Sequence, residues 1–391
     1  MSGPVRLAPF FLCSFVWNFA LGMTYLLVPL YARSLGMPGV EIGILLSAPV
    51  LVQIVFSLAG GAWTDVVGGK NMTMASCFLC FVAGLVFMIS GGFVMMMVAQ
   101  VLMVMSRAMF WPASWALASQ LPGIASVQMG RFNGANHGGQ IAGTAAAGVI
   151  IAWFGYIAGF GVMAACGLLA MYMNHAYRFK ENLSGARKNS MFAKYRQLLA
   201  HRQIYFSVMC AIISALPMSL SFSFYPILLV EQGFSSDATG SLISLRGLGA
   251  VISGVLAGYV VRNAKSLAIP VIAGLIVGLS VMLVAAVAQP FLIAAFLFIV
   301  GAGSALMTLH FQMLISYIST IETRGSAMAL GGLGWSISHI LTPMLVGAVA
   351  DWIDIRVAFY VSGAVGIACA LVLIPMYRWA FKNDVPDSVA A

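Results

Sequence analysis

Charged residues are scarce in this chain of 391 residues: Asp, Glu, Lys and Arg together make up only 7% of it. An ordinary soluble domain has roughly a quarter of its residues charged. Acidic residues are the rarer sign, with 10 Asp and Glu against 19 Lys and Arg. Hydrophobic residues account for 62% of the positions, and a surface that faces water cannot be built from that composition. The composition therefore excludes a soluble globular protein and favours one embedded in a lipid bilayer.

The sequence also lacks the motifs of several functional classes. It has no Gly-rich phosphate-binding loop and no soluble nucleotide-binding domain, which argues against ATP-driven transport. It has no paired carboxylates and no nucleophile beside a base, so we expect neither an enzyme nor a cofactor. The histidines of the apolar segments fall on separate helices without acidic or cysteine partners at ligand spacing, so we predict no metal site.

Cysteine usage indicates packing and not redox chemistry. All 6 cysteines fall within apolar segments, so we expect no disulfide. Cys77 and Cys80 form a C-x-x-C pattern, but in an apolar helix that spacing places two small hydrophobic side chains on one face.

Apolar runs long enough to cross a bilayer, about 20 residues each, recur along the chain. Helices are the spanning structure expected for such runs, because lipid offers no partner for an unpaired backbone N–H or C=O. The sequence therefore predicts an all-α integral membrane protein with twelve transmembrane helices. The predicted spans are 10–31, 41–63, 71–91, 94–119, 132–153, 157–177, 204–230, 239–261, 267–288, 291–318, 326–350 and 356–377.

The positions of the basic residues predict the orientation. With both termini in the cytoplasm, fifteen of the 19 Lys and Arg fall in cytoplasmic segments, and only Arg33 and Arg356 face outward. This asymmetry follows the positive-inside rule, so the formal net charge of +9 indicates orientation and not a nucleic-acid partner. We expect a multi-pass protein of the cell (inner) membrane with both termini cytoplasmic.

The chain contains an internal repeat. Adding 197 to positions in the first two spans gives matching residues, from Pro29 with Pro226 and Gly36 with Gly233 to Gly61 with Gly258. We predict a six-helix bundle over 1–177, a basic cytoplasmic linker over 178–203, a second bundle over 204–378 and a cytoplasmic tail over 379–391. A parallel repeat of this kind predicts a substrate site near the membrane midplane between the halves.

The segment from Gly61 to Lys70 reads Gly-Ala-Trp-Thr-Asp-Val-Val-Gly-Gly-Lys. It resembles the signature of the major facilitator superfamily, although Val66 stands where that family usually has Arg. The second half has a degenerate copy that runs from Gly258 to Arg262. The resemblance implies the twelve-helix fold and a conformational latch in which Asp65 accepts helix-end N–H groups or a basic partner. The latch residues would be Gly61, Asp65, Gly68, Lys70 and Arg262; the alternative is a purely structural tight turn.

Two further features are similar to the proton-antiporter branch of that superfamily. Arg107 lies within the fourth span, in the sequence Met-Ser-Arg-Ala-Met-Phe-Trp-Pro. The fifth span is rich in glycine, at Gly134, Gly138, Gly139, Gly143 and Gly148. Close helix packing alone would also explain these glycines.

The distribution of charge within the membrane predicts the cargo. All ten acidic residues fall at span ends or in loops: Glu41, Asp65, Glu181, Glu231, Asp237, Glu322, Asp351, Asp354, Asp384 and Asp387. The interior is left with Arg107 and Arg246 and no carboxylate, which favours an anionic or zwitterionic solute because the guanidinium fork binds carboxylate or phosphate. Alternatively, either arginine caps backbone carbonyls or extends to the interface.

Polar residues at helical spacing extend the predicted cavity. In the fifth span Asn133, His137, Gln140 and Thr144 fall on one face, as Trp335, His339 and Thr342 do in the eleventh. The candidate substrate-binding residues are Arg107, Arg246, Asn18, Tyr25, Trp111, His137, Gln140, Tyr225, Trp335 and His339. Without buried acids, the candidates for proton coupling are His339, His310 and His137.

These observations predict a secondary transporter, a monomer in the bilayer, that moves a small organic solute by alternating access, with the proton as the candidate coupling ion. The alternative within transport is proton-linked efflux of hydrophobic compounds, which the glycine-rich fifth span suggests. A different class is a membrane receptor that has a transporter scaffold but does not transport.

Overall fold

The computed structural model describes residues 7–122, 125–177, 196, 198–260, 265–319 and 324–382. Within these ranges the chain forms twelve helices and no strand. The helices are α1 (Ala8–Ser34), α2 (Gly39–Val67), α3 (Gly69–Ile89), α4 (Phe93–Ser119), α5 (Ala125–Ala176), α6 (Arg202–Ser221), α7 (Tyr225–Glu231), α8 (Ser236–Val260), α9 (Ala268–Ala286), α10 (Pro290–Ile318), α11 (Arg324–Trp352) and α12 (Ile355–Ala380).

The helices correspond to the twelve predicted spans. In the described part of the chain, 10 helices are long and apolar enough to cross a membrane. One of them, α5, has 52 residues and is interrupted at Gly155, where φ is 78°, so it contains both the fifth and the sixth predicted spans. Helices α6 and α7 together cover the seventh span, and α8 covers the eighth. The predicted all-α membrane architecture is therefore confirmed.

The chain divides into two compact units. The first contains Met1–Arg187 and Phe222–Ser244, and the second contains Lys188–Ser221 and Leu245–Ala391. Thus α7 and the start of α8 belong to the first unit, although they come from the second sequence repeat. Most of the predicted linker, 178–195 and residue 197, lies outside the described residues, as does 383–391 of the predicted tail. The domain boundaries drawn from the sequence stay a prediction.

Helix α5 is central to the packing of the first unit. It contacts both α1 and α3. A Cβ atom added to Gly139 or Gly143 would overlap a backbone carbonyl of α1, and one added to Gly84 of α3 would lie 2.8 Å from Ala164. These helices approach so closely because small residues face one another, as expected where lipid gives no hydrophobic drive to association.

The second unit repeats these pairings. Helix α6 packs on α11, and α9 packs on both α10 and α12. Small residues again lie at the contacts: a Cβ atom on Gly334 of α11 would overlap the carbonyl oxygen of Val208, and one on Gly278 of α9 would lie 2.7 Å from the carbonyl oxygen of Gly363. The internal sequence repeat is therefore also a repeat of helix packing.

One pair of repeated glycines ends equivalent helices in the same way. Gly36 follows α1 with φ of 79°, and Gly233 follows α7 with φ of 93°. In both places the residue after the glycine donates its N–H to a carbonyl five residues earlier, Met37 to Ala32 at 3.2 Å and Phe234 to Leu229 at 3.1 Å. Only glycine adopts this left-handed conformation without steric cost.

Candidate functional site

Arg107 lies at the middle of α4 with a half-buried side chain. Its Nε is buried and has no hydrogen-bond partner among the described residues. The phenol of Tyr25, a buried residue of α1, is its electrostatic neighbour. A guanidinium placed at this depth is costly without a partner, so Arg107 is a candidate to hold an anion.

Trp111 belongs to an aromatic cluster one turn away from Arg107. Its ring is T-shaped to Trp17 with centroids 6.2 Å apart, and it lies 5.6 Å from the ring of Trp115. Trp17 is fully buried, stacks on Phe110 at 3.8 Å and donates Nε1–H to Ser106 Oγ at 3.1 Å. The cluster packs α1 against α4, so Trp111 has a clear structural role whether or not it also touches a solute.

Asn18 and Gln140 form a buried amide network between α1 and α5. Asn18 Nδ2 donates to Ser14 O at 2.9 Å and to Asn136 Oδ1 at 2.8 Å, and Asn18 Oδ1 accepts from Gln140 Nε2 at 2.9 Å. Thr144 continues it by donating to Gly22 O at 3.0 Å. The network therefore joins two helices with groups that the sequence alone suggested for solute binding.

The other polar residues assigned to the fifth span behave differently. Asn133 and His137 are exposed, whereas Gln140 and Thr144 face α1. Asn136, which does not belong to the predicted stripe, is buried and completes the network. The position of Asn136, four residues before Gln140, was the sequence signal that could have identified it as a member of the network. Tyr225 is fully buried in the first unit at the start of α7.

Arg246 lies in the second unit on α8 and is half-buried. Its guanidinium is directed at α6, where one terminal nitrogen lies 3.2 Å from the sulfur of Met218. The backbone is close to another helix at this point, because a Cβ atom on Gly301 of α10 would overlap the carbonyl oxygen of Arg246. This arginine points into the second unit.

His339 belongs to a polar cluster between α6 and α11. Its Nδ1 lies 3.1 Å from Ser219 Oγ, which in turn lies 3.3 Å from Ser338 Oγ. Because the Ser219 hydroxyl donates to Ala215 O at 3.0 Å, its oxygen is placed to accept from an Nδ1–H group of His339. Trp335 packs against the imidazole with centroids 5.8 Å apart, and Trp335 Nε1 is buried without a hydrogen-bond partner among the described residues.

Sequence spacing did not identify Ser219 or Ser338. Two other serines of α6, Ser214 and Ser221, donate their hydroxyls to carbonyls of their own helix, Ala211 O at 2.9 Å and Pro217 O at 2.8 Å. Serine hydroxyls do this routinely in helices, so serine spacing carries little information about which one faces a neighbour.

The third histidine candidate, His310, is fully buried in α10. Its ring packs edge-on against Phe206 with centroids 6.5 Å apart, inside a hydrophobic cluster of the second unit. The surroundings of His310 are therefore more apolar than those of His339.

The predicted latch is only partly described. The backbone of α2 includes Gly61 and Asp65. The side chain of Asp65 and the whole of Arg262 lie outside the described residues. Gly68 separates α2 from α3 with φ of 92°. Lys70 donates to the backbone carbonyl of Tyr177 at 2.5 Å, just beyond the end of α5, and its ammonium lies 5.6 Å from the Tyr177 ring centroid. Lys70 therefore caps the C-terminal end of the sixth span, where a cation is favoured by the helix dipole.

The model of the Major Facilitator Superfamily matches the chain twice, over residues 10–222 and 207–390. A stretch of 101 residues is 28% identical to the quinolone resistance protein NorA of Staphylococcus aureus, and it covers 26% of this chain and 26% of that protein.

Solved structures share the fold over nearly the whole chain. The nucleoside transporter NupG superposes with a TM-score of 0.81 at 11% identity, covering 94% of this chain and 99% of the other. A bacterial homolog of the human lysosomal transporter Spinster, inward-facing and unoccupied, gives a TM-score of 0.75 at 12% identity and covers 98% of each chain. The peptide transporter POT in complex with sulfate gives 0.75 at 15% identity over 97% of each chain.

Proposed function

Because the chain belongs to the major facilitator superfamily, a family of membrane transporters, we propose that it is a secondary transporter for a small organic solute with an anionic group. Alternating access, driven by the solute gradient or by protons, would move this solute across the bilayer. The proposal goes beyond the family in assigning a charge to the cargo and a role to Arg107.

The assignment rests on the Arg107 guanidinium. Its Nε is buried without a partner among the described residues. The acidic side chains that the structure describes all lie at helix ends or in the turns between helices, at Glu41, Glu231, Asp237, Asp351 and Asp354. A carboxylate or phosphate on the solute would supply a counter-charge that these described acidic side chains do not, and it would bind the guanidinium fork through two hydrogen bonds.

Arg107→Gln tests this assignment in proteoliposomes. We first identify a transported anion by screening organic anions, neutral metabolites and cationic drugs for thermal stabilisation of the purified protein. Uptake of that anion should then fall at least tenfold in Arg107→Gln and recover partly in Arg107→Lys, which restores the charge without the fork. Arg356→Gln, which removes an exposed arginine at the start of α12, is the matched control and should transport normally. Undiminished uptake by Arg107→Gln would overturn the proposal.

The similarity to the quinolone resistance protein NorA favours a second candidate, efflux of hydrophobic compounds. The match covers about a quarter of each protein, so it supports this function less than it supports a common origin. A strain that lacks the transporter separates the two. Increased susceptibility to several unrelated hydrophobic drugs, reversed by the wild-type gene and also by the Arg107→Gln variant, would favour efflux over anion transport.

A receptor without transport would show solute binding but no flux in the proteoliposomes.

We propose His339 as the group that couples transport to protons. Its imidazole is buried at the middle of α11 beside hydroxyl groups that can stabilise more than one protonation state. His339→Asn should keep solute exchange at equal pH but lose the accumulation that an imposed pH gradient drives. His310→Asn is the matched control, because it removes a buried histidine that packs in an apolar cluster. If gradient-driven accumulation persists in His339→Asn, this histidine does not carry the proton.

A further inference from the structure

A cleft in the second unit is lined by none of the candidate substrate-binding residues. It has a volume of about 280 Å³ and is formed where α6 begins and α12 ends. Its polar lining consists of His201, Arg202, Gln203 and Lys382, and Trp379 forms part of the wall. The positive-inside rule predicts that this end of both helices faces the cytoplasm.

The charge of the cleft is of one sign. Arg202 and Lys382 are exposed cations, His201 is exposed beside them, and none of the described residues that line the cleft is acidic. Two cations brought to one concave surface repel each other, so a bound anion would relieve an unfavourable interaction as well as form new ones. Arg202 offers a fork for two phosphate oxygens, and Lys382 offers a compact charge.

The aromatic residues of the cleft mark the level of the membrane interface. The Arg202 guanidinium lies 5.2 Å from the centroid of the Trp379 ring, and the Tyr205 ring packs on the same tryptophan at 6.0 Å. Trp379 is 45% exposed and Tyr205 is 44% exposed. Half-exposed Trp and Tyr at the ends of transmembrane helices lie at the depth of lipid headgroups.

An apolar stripe leads from the cleft along α12 into the membrane. Leu371, Val372, Pro375 and Trp379 are all exposed and share one face of the helix by their spacing. A free phosphate ion has no apolar part that could contact such a stripe. A phospholipid, in contrast, could place its phosphate in the cleft and an acyl chain along these side chains.

We propose that the cleft binds the phosphate of an anionic phospholipid through Arg202 and Lys382, with an acyl chain against the exposed stripe of α12. Basic pockets at the cytoplasmic ends of transmembrane helices suit anionic headgroups, and each basic residue that lines such a pocket contributes roughly a fivefold gain in binding. The site does not depend on which solute the protein transports.

Native mass spectrometry of the full-length protein tests the proposal. The protein is released from mixed micelles that contain phosphatidylglycerol or, in a parallel sample, zwitterionic phosphatidylcholine. Wild-type protein should retain phosphatidylglycerol in preference to phosphatidylcholine. Arg202→Gln with Lys382→Gln should reduce that retention roughly thirtyfold, and each single variant roughly fivefold. The single variants change exposed side chains and keep the test valid if the double variant is unstable.

Arg378→Gln is the matched control, because it removes an exposed charge from the same turn of α12 without lining the cleft. It should retain phosphatidylglycerol like the wild type. An equal loss in this control would show a diffuse charge effect and overturn the site. Displacement of the lipid by millimolar inorganic phosphate, or equal retention of phosphatidylcholine, would overturn the assignment to an anionic lipid.

Discussion

At the scale of single residues, the Asn18 amide is a polar group in a membrane helix whose hydrogen bonds are made to other groups of the protein. Its two donor directions go to Ser14 and Asn136, and its oxygen accepts from Gln140. Little hydrogen-bonding capacity remains for a solute. The structure therefore favours a role for Asn18 in joining α1 to α5, and it leaves Arg107 as the stronger candidate for solute contact.

Asn18→Ala should lower the stability of the protein by roughly 1 kcal/mol, because it leaves Gln140 and Asn136 without their partner in a buried place. The measurement is the midpoint of thermal unfolding in detergent, which we expect to fall by a few degrees. Asn71→Ala is the matched control: that amide is exposed and donates to Val67 O of the preceding helix at 3.0 Å. Equal midpoints for Asn18→Ala and the wild type would show that the network does not stabilise the fold.

At the scale of helices, glycine decides how closely α1 and α5 pack. Gly22 of α1 faces the backbone of Gln140, and Gly139 and Gly143 of α5 face the backbones of Phe15 and Phe19. Gly139 and Gly143, two of the glycines that resemble an antiporter motif, therefore have a packing role in this structure. That role alone explains their presence, so they do not argue for an antiport mechanism.

Gly143→Ala should destabilise the first unit by about 1–3 kcal/mol, because the added methyl group overlaps a carbonyl oxygen that belongs to rigid helix backbone. Gly134→Ala is the control in the same helix, since a Cβ atom there would have no atom of the described residues within 4 Å, and alanine favours helix over glycine. Unfolding midpoints should fall for Gly143→Ala and stay or rise for Gly134→Ala. The same response from both variants would contradict the close approach of α1 and α5.

At the scale of the whole molecule, sequence repeat and compact units do not coincide. Residues 222–244 belong to the second repeat but pack within the first unit. There Arg33, at the end of α1, forms an ion pair with Glu231, at the end of α7, with 2.7 Å between nitrogen and oxygen. An exposed pair of this kind contributes little stability, of order 0.2–1 kcal/mol.

We propose that this ion pair faces the outside of the cell membrane and that both termini face the cytoplasm. Alkaline phosphatase fused after Gly36 or after Gly233 should then be active, and the same enzyme fused after Lys382 should be inactive. A fluorescent protein at Lys382 should fluoresce, because it folds on the cytoplasmic side. Immunoblots of equal intensity control for expression, and the opposite pattern of activities would invert the topology.

Much of the fold could be predicted from the sequence, while much of the candidate site could not. The helices were predictable because each apolar run must satisfy its own backbone in lipid. The equivalent ends of α1 and α7 were predictable from Gly36 and Gly233, since left-handed backbone selects glycine. The partner of a polar side chain was not predictable, because spacing shows which residues share a face but not which neighbour that face meets.

The sequence by itself determined the class of protein, the number and type of its helices, its internal repeat and its family, because these follow from composition and local backbone chemistry. Only the tertiary structure decided that Asn18 is engaged with Gln140, that Ser219 supports His339, and that Arg202 and Lys382 share a cleft. Those pairings join residues far apart in the chain. They depend on the rotation and close approach of packed helices, which hydrophobic periodicity leaves open.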